Sequence, residues 1–492
     1  MRRLGFILVS SLLLMAVACI PPVSRRVSQR MERPQTCEEF LTGLDDKVSA
    51  FGVRDGSSFP VPGFPYLRTD RFLSALKTRL KDGPQEDRWV QWMQKLDLDS
   101  RKKEISNLPD PTVLSLALKP DRGVLFSRVE ACSSELLHHD QERPDFYEAL
   151  FPLVQVPDEY SWAMRTLGVY PLLALPVAVV TEVSRERIKA WFETPLDRLP
   201  VEGRLQAFAP VEARVLEEKE LGEIIGQSSK NPLNLPIPDE VQGKRLVNHF
   251  APVIVQDEAG AYDRIGRMGW KGARVEVDPE RPTIYYFFSH AFLKDVPVLQ
   301  INYVLWYSRR AGARAPRIEW GHIDGLTVRI SLDGEGKVFM VEAMNNCGCY
   351  HFLAPERERV DRRVPQCFQF DAFVPQWLPT VSPGERFGLR VNSGWHQAQR
   401  LIAMGKPVDY VPYDLLPYDL LEALPHEDGQ TESIFDGNGI AKGSERPERF
   451  ILFSMGIPSI GSMRQRGHHA IELIGRTHFD DPGLFDRYFI FH

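Results

Sequence analysis

The chain has 492 residues, of which 43% are hydrophobic and 26% are charged, and its formal net charge is −6 at pH 7. This composition is typical of globular protein, and the length allows roughly two or three domains. A mildly acidic body of this size does not bind nucleic acid by bulk electrostatics, so no nucleic-acid partner is expected.

The first nineteen residues have the pattern of an export signal that ends in a cysteine. Two arginines form its positive end, residues 4–15 its apolar stretch, and residues 16–18 a small-residue cleavage site directly before Cys19. This pattern resembles the signal segment of bacterial lipoproteins. The resemblance implies that residues 1–18 are a signal peptide and that Cys19 becomes the lipidated N-terminus, which anchors the body to a membrane.

The residue after this cysteine is Ile20 rather than an aspartate, and in this respect the chain resembles lipoproteins that are transported to the outer membrane. The expected location is therefore the periplasmic face of the outer membrane. The alternatives are an ordinary secretory signal cut after Ala18 and an uncleaved membrane helix, although so short an apolar run, followed by two prolines, is a poor permanent span. Residues 19–35 are mostly polar and are predicted to form a tether between anchor and body.

Residues 36–165 are predicted to form a mainly helical N-terminal region. Thr36 and Glu39 fit a capping box, and apolar residues follow at helical spacing until Gly52. Further helical patterns cover residues 70–80, 87–96 and 128–139.

Residues 166–244 are predicted to hold an apolar segment and a linker. Residues 167–180 are strongly apolar but carry two prolines and are too short for a transmembrane helix, which needs about 20 apolar residues. We prefer a buried segment that packs between domains; the alternative is a patch that dips into the bilayer beside the lipid anchor. Residues 198–243 read as a polar linker with one helix around residues 211–225.

From residue 245 the hydrophobic period changes from helical to alternating, which predicts a β-rich C-terminal domain over residues 245–492. A helix is expected at residues 395–404 and a last strand at residues 488–492. The other predicted strands are residues 253–255, 283–288, 298–307, 322–332, 337–344 and 387–391. The predicted fold class is α+β, with a mainly helical N-terminal region followed by a mainly antiparallel β-rich domain.

Residues 333–336 (Asp-Gly-Glu-Gly) predict a hairpin turn, with Leu332 opposite Lys337. Because side chains alternate along a strand, the far end of this hairpin gathers polar groups beside an apolar wall. A bulge at Gly325 or Gly348 would move the residues beyond it to the other face. The gathered residues are Asp324 opposite Asn345, His322 opposite Cys347, and then Cys349 and His351.

One hypothesis for this cluster is structural. If Cys19 is acylated, five of the six cysteines remain, and an odd number leaves at least one thiol outside intrachain disulfides. Exported cysteines usually form disulfides. The preferred pairings are Cys37 with Cys132, and Cys367 with either Cys347 or Cys349.

Two further hypotheses assign the cluster a chemical role. In the first, Cys347 or Cys349 is a nucleophile, a histidine such as His322 takes its proton, and Asp324 or Asn345 orients the imidazole. In the second, the cluster binds zinc, with His322, Cys349 and His351 as the preferred ligands. Apart from this zinc alternative, no cofactor is expected.

Residues 467–475 (Gly-His-His-Ala-Ile-Glu-Leu-Ile-Gly) place a histidine at the entry to an alternating strand. The segment resembles the histidine strand of papain-like cell-wall peptidases of the NlpC type, several of which are lipoproteins. The resemblance implies that His469 acts as the base. The chain departs from that family because Asn346, not an aspartate, precedes Cys347, and because a strand rather than a helix is predicted to carry the thiol.

Two functions remain open from the sequence. The leading hypothesis is a membrane-anchored cell-envelope lipoprotein that acts as a thiol-dependent hydrolase or acyl-transfer enzyme on a cell-wall or envelope-lipid substrate. The rival is a non-catalytic envelope-assembly or binding lipoprotein whose cysteines are structural. The chain contains no H-E-x-x-H motif, Walker loop or dinucleotide fingerprint, which removes the easily recognised enzyme classes.

Overall fold

The computed structural model describes residues 35–117, 121–211 and 215–492. The predicted signal peptide, Cys19 and the tether up to residue 34 lie outside the described residues, as do residues 212–214 of one predicted helix. Within the described ranges, no helix combines the length and the apolar character needed to cross a membrane.

The N-terminal region is helical, as predicted, with one small hairpin. Asp70 and Asp82 cap the helices that follow them, since their carboxylates accept backbone hydrogen bonds from Leu73 (2.7 Å) and Gln85 (3.1 Å). The predicted disulfide between Cys37 and Cys132 is confirmed and joins the first helix to the fifth. The elements are α1 (Gln35–Ala50), β1 (Phe59–Val61), β2 (Phe64–Thr69), α2 (Arg71–Leu76), α3 (Gly83–Asn107), α4 (Asp110–Ala117), α5 (Arg122–Gln141) and α6 (Phe146–Leu150).

The middle of the chain differs from the prediction in two places. The apolar residues 167–180 mostly belong to α8, and only Gly168 among them is buried, whereas Leu172 is 68% exposed. Part of the predicted linker is the strand β3, which lies inside the large sheet. The elements here are α7 (Trp162–Leu167), α8 (Tyr170–Glu193), β3 (Arg204–Pro210), α9 (Glu218–Ser228) and α10 (Glu240–Phe250).

The C-terminal half is β-rich, as predicted, and closes with two short helices, α11 (Glu448–Ile451) and α12 (Leu484–Tyr488). The helix expected at residues 395–404 is wrong, because β14 there pairs antiparallel with β13 and this pairing outweighs the local helical preference. The strands are β4 (Val253–Glu258), β5 (Arg267–Lys271), β6 (Arg274–Asp278), β7 (Thr283–Leu293), β8 (Val296–Arg310), β9 (Gly321–Leu332), β10 (Val338–Asn345), β11 (Phe352–Pro355), β12 (Val360–Arg363), β13 (Arg386–Val391), β14 (Ala398–Met404), β15 (Val411–Pro417), β16 (Leu424–Pro425), β17 (Thr431–Glu432) and β18 (Phe489–Phe491).

Ten of these strands form one sheet in the order β11-β10-β9-β8-β7-β15-β3-β4-β13-β14. Most neighbours are antiparallel, and only the pairs β7/β15, β15/β3 and β4/β13 are parallel. On one face, Leu246 of α10 and Ile224 of α9 share a buried core with Ile330 of β9. On the other face, Trp306 of β8 packs in a second core with Tyr418. The α+β fold class is thus confirmed.

The predicted hairpin joins β9 to β10, but its register differs. The backbone N–H of Asp333 donates to the carbonyl of Lys337 at 2.9 Å, as the turn requires. Leu332 pairs with Val338, one residue beyond the predicted partner, and a bulge between Val338 and Met340 adds a second residue to the shift, so Asn345 faces Leu326 rather than Asp324. A shift of two preserves which face each side chain occupies.

Candidate functional site

The two cysteines lie in a tight turn at the end of β10. The carbonyl of Cys349 accepts a hydrogen bond from the backbone N–H of Asn345 at 3.0 Å, and Gly348 has a φ of 90°. A Cβ at Gly348 would stand 2.2 Å from the carbonyl oxygen of Ala470, so only glycine fits here. The backbone of Asn346 also bonds to Gly325 and Arg464, which fixes the turn against two neighbouring segments.

The two thiols interact with each other. Cys347 is 4% exposed, and the thiol of Cys349 donates a hydrogen bond to its sulfur. This hydrogen bond, the Arg310 guanidinium and the backbone N–H of Cys349 outweigh burial and lower the pKa of Cys347 to about 7. The same hydrogen bond, followed by burial, raises the pKa of Cys349 well above its ordinary value. Cys347 is therefore the thiol that ionises around pH 7, while Cys349 keeps its proton.

Arg310, at the end of β8, is held beside this turn by two buried carboxylates. Its Nε and Nη2 atoms lie 2.9 and 3.0 Å from the two oxygens of Asp324, and its Nη1 atom lies 2.6 Å from Oε2 of Glu319. Glu319 in turn accepts hydrogen bonds from Trp395 and Tyr350, each at 2.7 Å. Because its guanidinium group makes two hydrogen bonds to Asp324 and one to Glu319, Arg310 is held rigidly and places a fixed positive charge beside the turn.

A buried histidine completes this charged network. His396 places Nδ1 2.7 Å from Asp324 and Nε2 3.2 Å from Asp263, and its ring stacks on Tyr307 with centroids 3.9 Å apart. Burial lowers the pKa of His396, but the two aspartates outweigh burial and raise it above its ordinary value. For Asp324, burial raises the pKa, but the positive charges of Arg310 and His396 have the larger effect. The pKa of Asp324 therefore lies below its ordinary value. The network thus keeps Asp324 ionised and Arg310 in place.

The cysteine turn opens into a cavity of about 470 Å³, a volume within the range of small-molecule sites. Its walls are mainly apolar, and α8 supplies one of them. At one end lie Cys347, Cys349, Glu319 and Glu448. Apolar residues that line the rest include Val177, Val180, Ile188, Phe373, Ile457 and Ile460.

Two carboxyl groups in this cavity are neutral at pH 7. Burial, followed by the negative charges of Glu319 and Cys347, raises the pKa of Glu448 to about 8. Its Oε2 atom would stand 2.2 Å from a Cβ at Gly461, so this glycine makes room for the carboxyl group. Burial also raises the pKa of Glu472 to about 8. A carboxylic acid beside a thiolate is a pair that can exchange a proton with a bound substrate.

The three predicted histidines all have partners other than the thiols. His322 is exposed, and its Nε2 lies 2.8 Å from the carbonyl oxygen of Val275, because Ile323 adopts a φ of 55° that breaks the strand alternation. His469 has Nδ1 3.6 Å from Asp480 and is not among the described residues that line the cavity. His351 does line the cavity, but its Nε2 is 2.9 Å from Glu342.

The remaining predicted residues have structural contacts. Asn345 donates from Nδ2 to the backbone carbonyl of His396 at 3.2 Å, and Asp324 belongs to the Arg310 network described above. The predicted disulfide to Cys367 is wrong, because Cys367 is free and exposed whereas Cys347 is buried.

The zinc alternative names residues that contact different parts of the protein. His322, Cys349 and His351 have separate partners, and within residues 35–117, 121–211 and 215–492 no group of three or more His, Cys, Asp or Glu side chains is placed to hold a metal ion.

No protein-family model, curated protein or solved structure matches the chain significantly. The site is therefore interpreted from its own geometry. Four residues that matter in it were missed by the sequence analysis: Arg310, Glu319, His396 and Glu448.

Proposed function

We propose that the protein is a cell-envelope enzyme in which the Cys347 thiolate is the nucleophile of an acyl-transfer or hydrolytic reaction. In this proposal a lipid on Cys19 holds the body at a bacterial membrane, with the periplasmic face of the outer membrane favoured. One observation carries the proposal: a thiol with a pKa near 7 lies at the polar end of an apolar cavity, beside a neutral carboxylic acid.

The first half of the reaction transfers the acyl group to the enzyme. The Cys347 thiolate attacks the carbonyl carbon of a bound ester, and a carbon–sulfur bond forms. The carbon–oxygen bond to the alcohol breaks, and the departing oxygen takes the proton of the Glu448 carboxyl group. The products are a thioester on Cys347, a free alcohol and a Glu448 carboxylate.

The second half returns the enzyme to its starting state. Water, or an acceptor alcohol or amine, gives a proton to the Glu448 carboxylate and attacks the thioester carbonyl. The carbon–sulfur bond breaks, and Cys347 leaves as a thiolate. Water as the acceptor makes the reaction a hydrolysis, and any other acceptor makes it an acyl transfer.

This scheme does not need a histidine base. Cys349 and Arg310 already stabilise the Cys347 thiolate, so no group has to remove its proton during attack. Cys349 and Arg310 are therefore positioning residues, and Asp324, Glu319 and His396 act through Arg310.

The test is the pH profile of kcat/KM for a water-soluble alkyl ester, measured with the full-length protein. We expect a bell shape, because activity needs Cys347 ionised, above about pH 7, and Glu448 protonated, below about pH 8. Cys347→Ser removes turnover, whereas Cys367→Ser does not. Glu448→Gln removes the alkaline limb and lowers the maximum by about 10²-fold or more.

Glu445→Gln is the matched control, because Glu445 is exposed and lies only three residues from Glu448. Equal turnover by wild type and Cys347→Ser, or no turnover of any ester in a panel of chain lengths, contradicts the proposal. The second result is the one expected of the non-catalytic alternative.

A further inference from the structure

We infer that α8 docks the protein on a lipid bilayer, and that the cavity beside Cys347 receives the acyl chain of a membrane lipid that enters past this helix. The inference rests on the proposed function and names its substrate class. It is carried by the exposed surface of α8, by the position of the cavity behind it and by the length of the predicted tether.

The first half of α8 is apolar where a solvent-facing helix normally carries charge. Residues 166–181 contain no charged side chain. The two buried side chains of the helix, Ile188 and Phe192, lie toward its other end. The exposed apolar side chains on and beside α8 are those of Leu167, Val169, Leu172, Leu173, Leu175, Val179, Val180 and Val183. Exposed apolar side chains clustered along one half of a helix mark an interaction surface.

Exposed apolar side chains of α11 and α7 lie next to α8. α8 contacts the turn at residues 453–455, which directly follows α11. Phe450 and Ile451 of α11 are exposed, and so is Trp162 at the start of α7, which contacts the same turn. Aromatic side chains of this kind are enriched where proteins meet the surface of a bilayer.

The cavity reaches the surface within this patch. Val180 of α8 and Ile451 of α11 both line the cavity, yet they are 67% and 63% exposed. The cavity mouth therefore lies between two apolar surfaces. An acyl chain that leaves a bilayer here can reach the cavity without crossing water, and its carbonyl group can approach Cys347 at the far end.

A bilayer accounts for these features better than a protein partner. One ligand class, a lipid, explains both the apolar helix and the apolar cavity behind it. The sixteen residues from Cys19 to residue 34 can span at most about 55 Å when extended, so a lipid on Cys19 keeps the body within reach of the membrane. Because residues 166–181 are uncharged, we expect docking that needs no anionic lipid and is insensitive to salt.

The experiment uses a tryptophan placed on the patch and a lipid-borne quencher. Full-length Leu175→Trp protein is mixed with phosphatidylcholine vesicles whose acyl chains are brominated, and the fluorescence of the wild type, with its nine tryptophans, is subtracted. Val241→Trp on α10 is the matched control, because Val241 and Leu175 are both 69% exposed. A third variant adds Val179→Glu to Leu175→Trp.

We expect the added tryptophan at position 175 to be quenched at least twofold, the one at position 241 to be unaffected, and Val179→Glu to abolish the quenching. Equal quenching at both positions, or none at position 175, overturns the inference. A concentration-dependent doubling of mass without vesicles, together with no quenching, identifies a second copy as the occupant and also overturns it. If the tryptophan at position 175 is already shielded from water without vesicles, and the mass is unchanged, the N-terminal segment covers the patch. This result also overturns the inference.

Turnover of the soluble ester in the same variants separates this inference from the proposed function. If Cys347-dependent turnover persists while quenching fails, only bilayer docking is overturned. If quenching occurs but no ester is turned over, the thiol chemistry is wrong and the docking surface stands.

Discussion

Replacing Cys349 by alanine removes the hydrogen bond that does most to stabilise the Cys347 thiolate. The Cys349 thiol is the largest cause of the lowered pKa of Cys347, ahead of the Arg310 charge. Without this donor, burial acts against the remaining contributions, and we expect the pKa of Cys347 to return to at least its ordinary value. The change leaves the turn intact, because Gly348 and the backbone hydrogen bonds of the turn are retained.

The size of the effect follows from the thiolate fraction. With a pKa of about 7, half of Cys347 is ionised at pH 7. With an ordinary cysteine pKa of about 8.5, only about 3% is ionised at that pH. The rate of alkylation at pH 7, divided by its alkaline plateau, should therefore fall about 15-fold in Cys349→Ala. Division by the plateau removes differences in access to the buried sulfur.

The assay is iodoacetamide labelling over a range of pH, with peptide mass spectrometry to follow Cys347 separately from Cys367. Cys349→Ser is the matched control, because its hydroxyl group keeps a hydrogen-bond donor at the same place, and its profile should stay close to that of the wild type. A wild-type midpoint near pH 8.5, or the same midpoint in Cys349→Ala, would refute the assignment of Cys347 as an activated thiol.

Three further predictions concern the framework of the site. Replacing Cys37 and Cys132 by alanine opens a loop with a sequence separation of 95 residues and should lower the free energy of unfolding by about 2–5 kcal/mol in urea titrations, so an unchanged midpoint speaks against a structural disulfide. Gly348→Ala forces a Cβ to within 2.2 Å of the Ala470 carbonyl at a positive φ, and we expect a loss of more than about 1 kcal/mol, whereas Gly437→Ala, which has open space, is the control. The folded-state pKa of His396 is raised, so its charge contributes stability that is fully present below its unfolded pKa of about 6.5 and is lost as pH rises through the folded-state pKa. His396→Ala should then destabilise by about 3–5 kcal/mol at low pH and by less at high pH, and a loss that does not vary with pH contradicts a charged His396.

The main features of the fold were predictable because they follow from local periodicity. The strands around Leu332 and the turn at residues 333–336 follow from alternation and turn chemistry, and they are present, although their pairing is shifted from the predicted register. The change from helical to β-rich structure near residue 250 follows in the same way. The Cys37–Cys132 disulfide was a choice among several pairings, and the structure confirms it.

The candidate site was only partly predictable, because it depends on backbone irregularities and on contacts between distant residues. The cysteine turn was located, but the positive φ at Ile323 turns His322 away from it. Arg310 meets Asp324 through the register of β8 with β9, and Glu319 lies in the turn just before β9. Glu448 reaches the cavity from a helix that begins more than 90 residues after Cys349. No local pattern encodes these contacts.

The apolar segment at residues 167–180 shows a different limit. Hydrophobicity predicts that a segment is removed from water, but it does not say whether the segment is buried in the protein core or against an external surface. Burial was the preferred prediction, and the exposure of Leu172 and Leu175 shows that it was wrong.

The central claim, that Cys347 accepts an acyl group, is tested most directly by trapping the thioester. Full-length protein is mixed with an activated acyl ester, the reaction is stopped in acid, and the peptides are mapped by mass spectrometry. We expect one acyl group on Cys347, none in Cys347→Ser, and a longer-lived adduct in Glu448→Gln because the proton acceptor for water is missing. Acylation of Cys349 or Cys367 instead, or of no thiol at all, would contradict it.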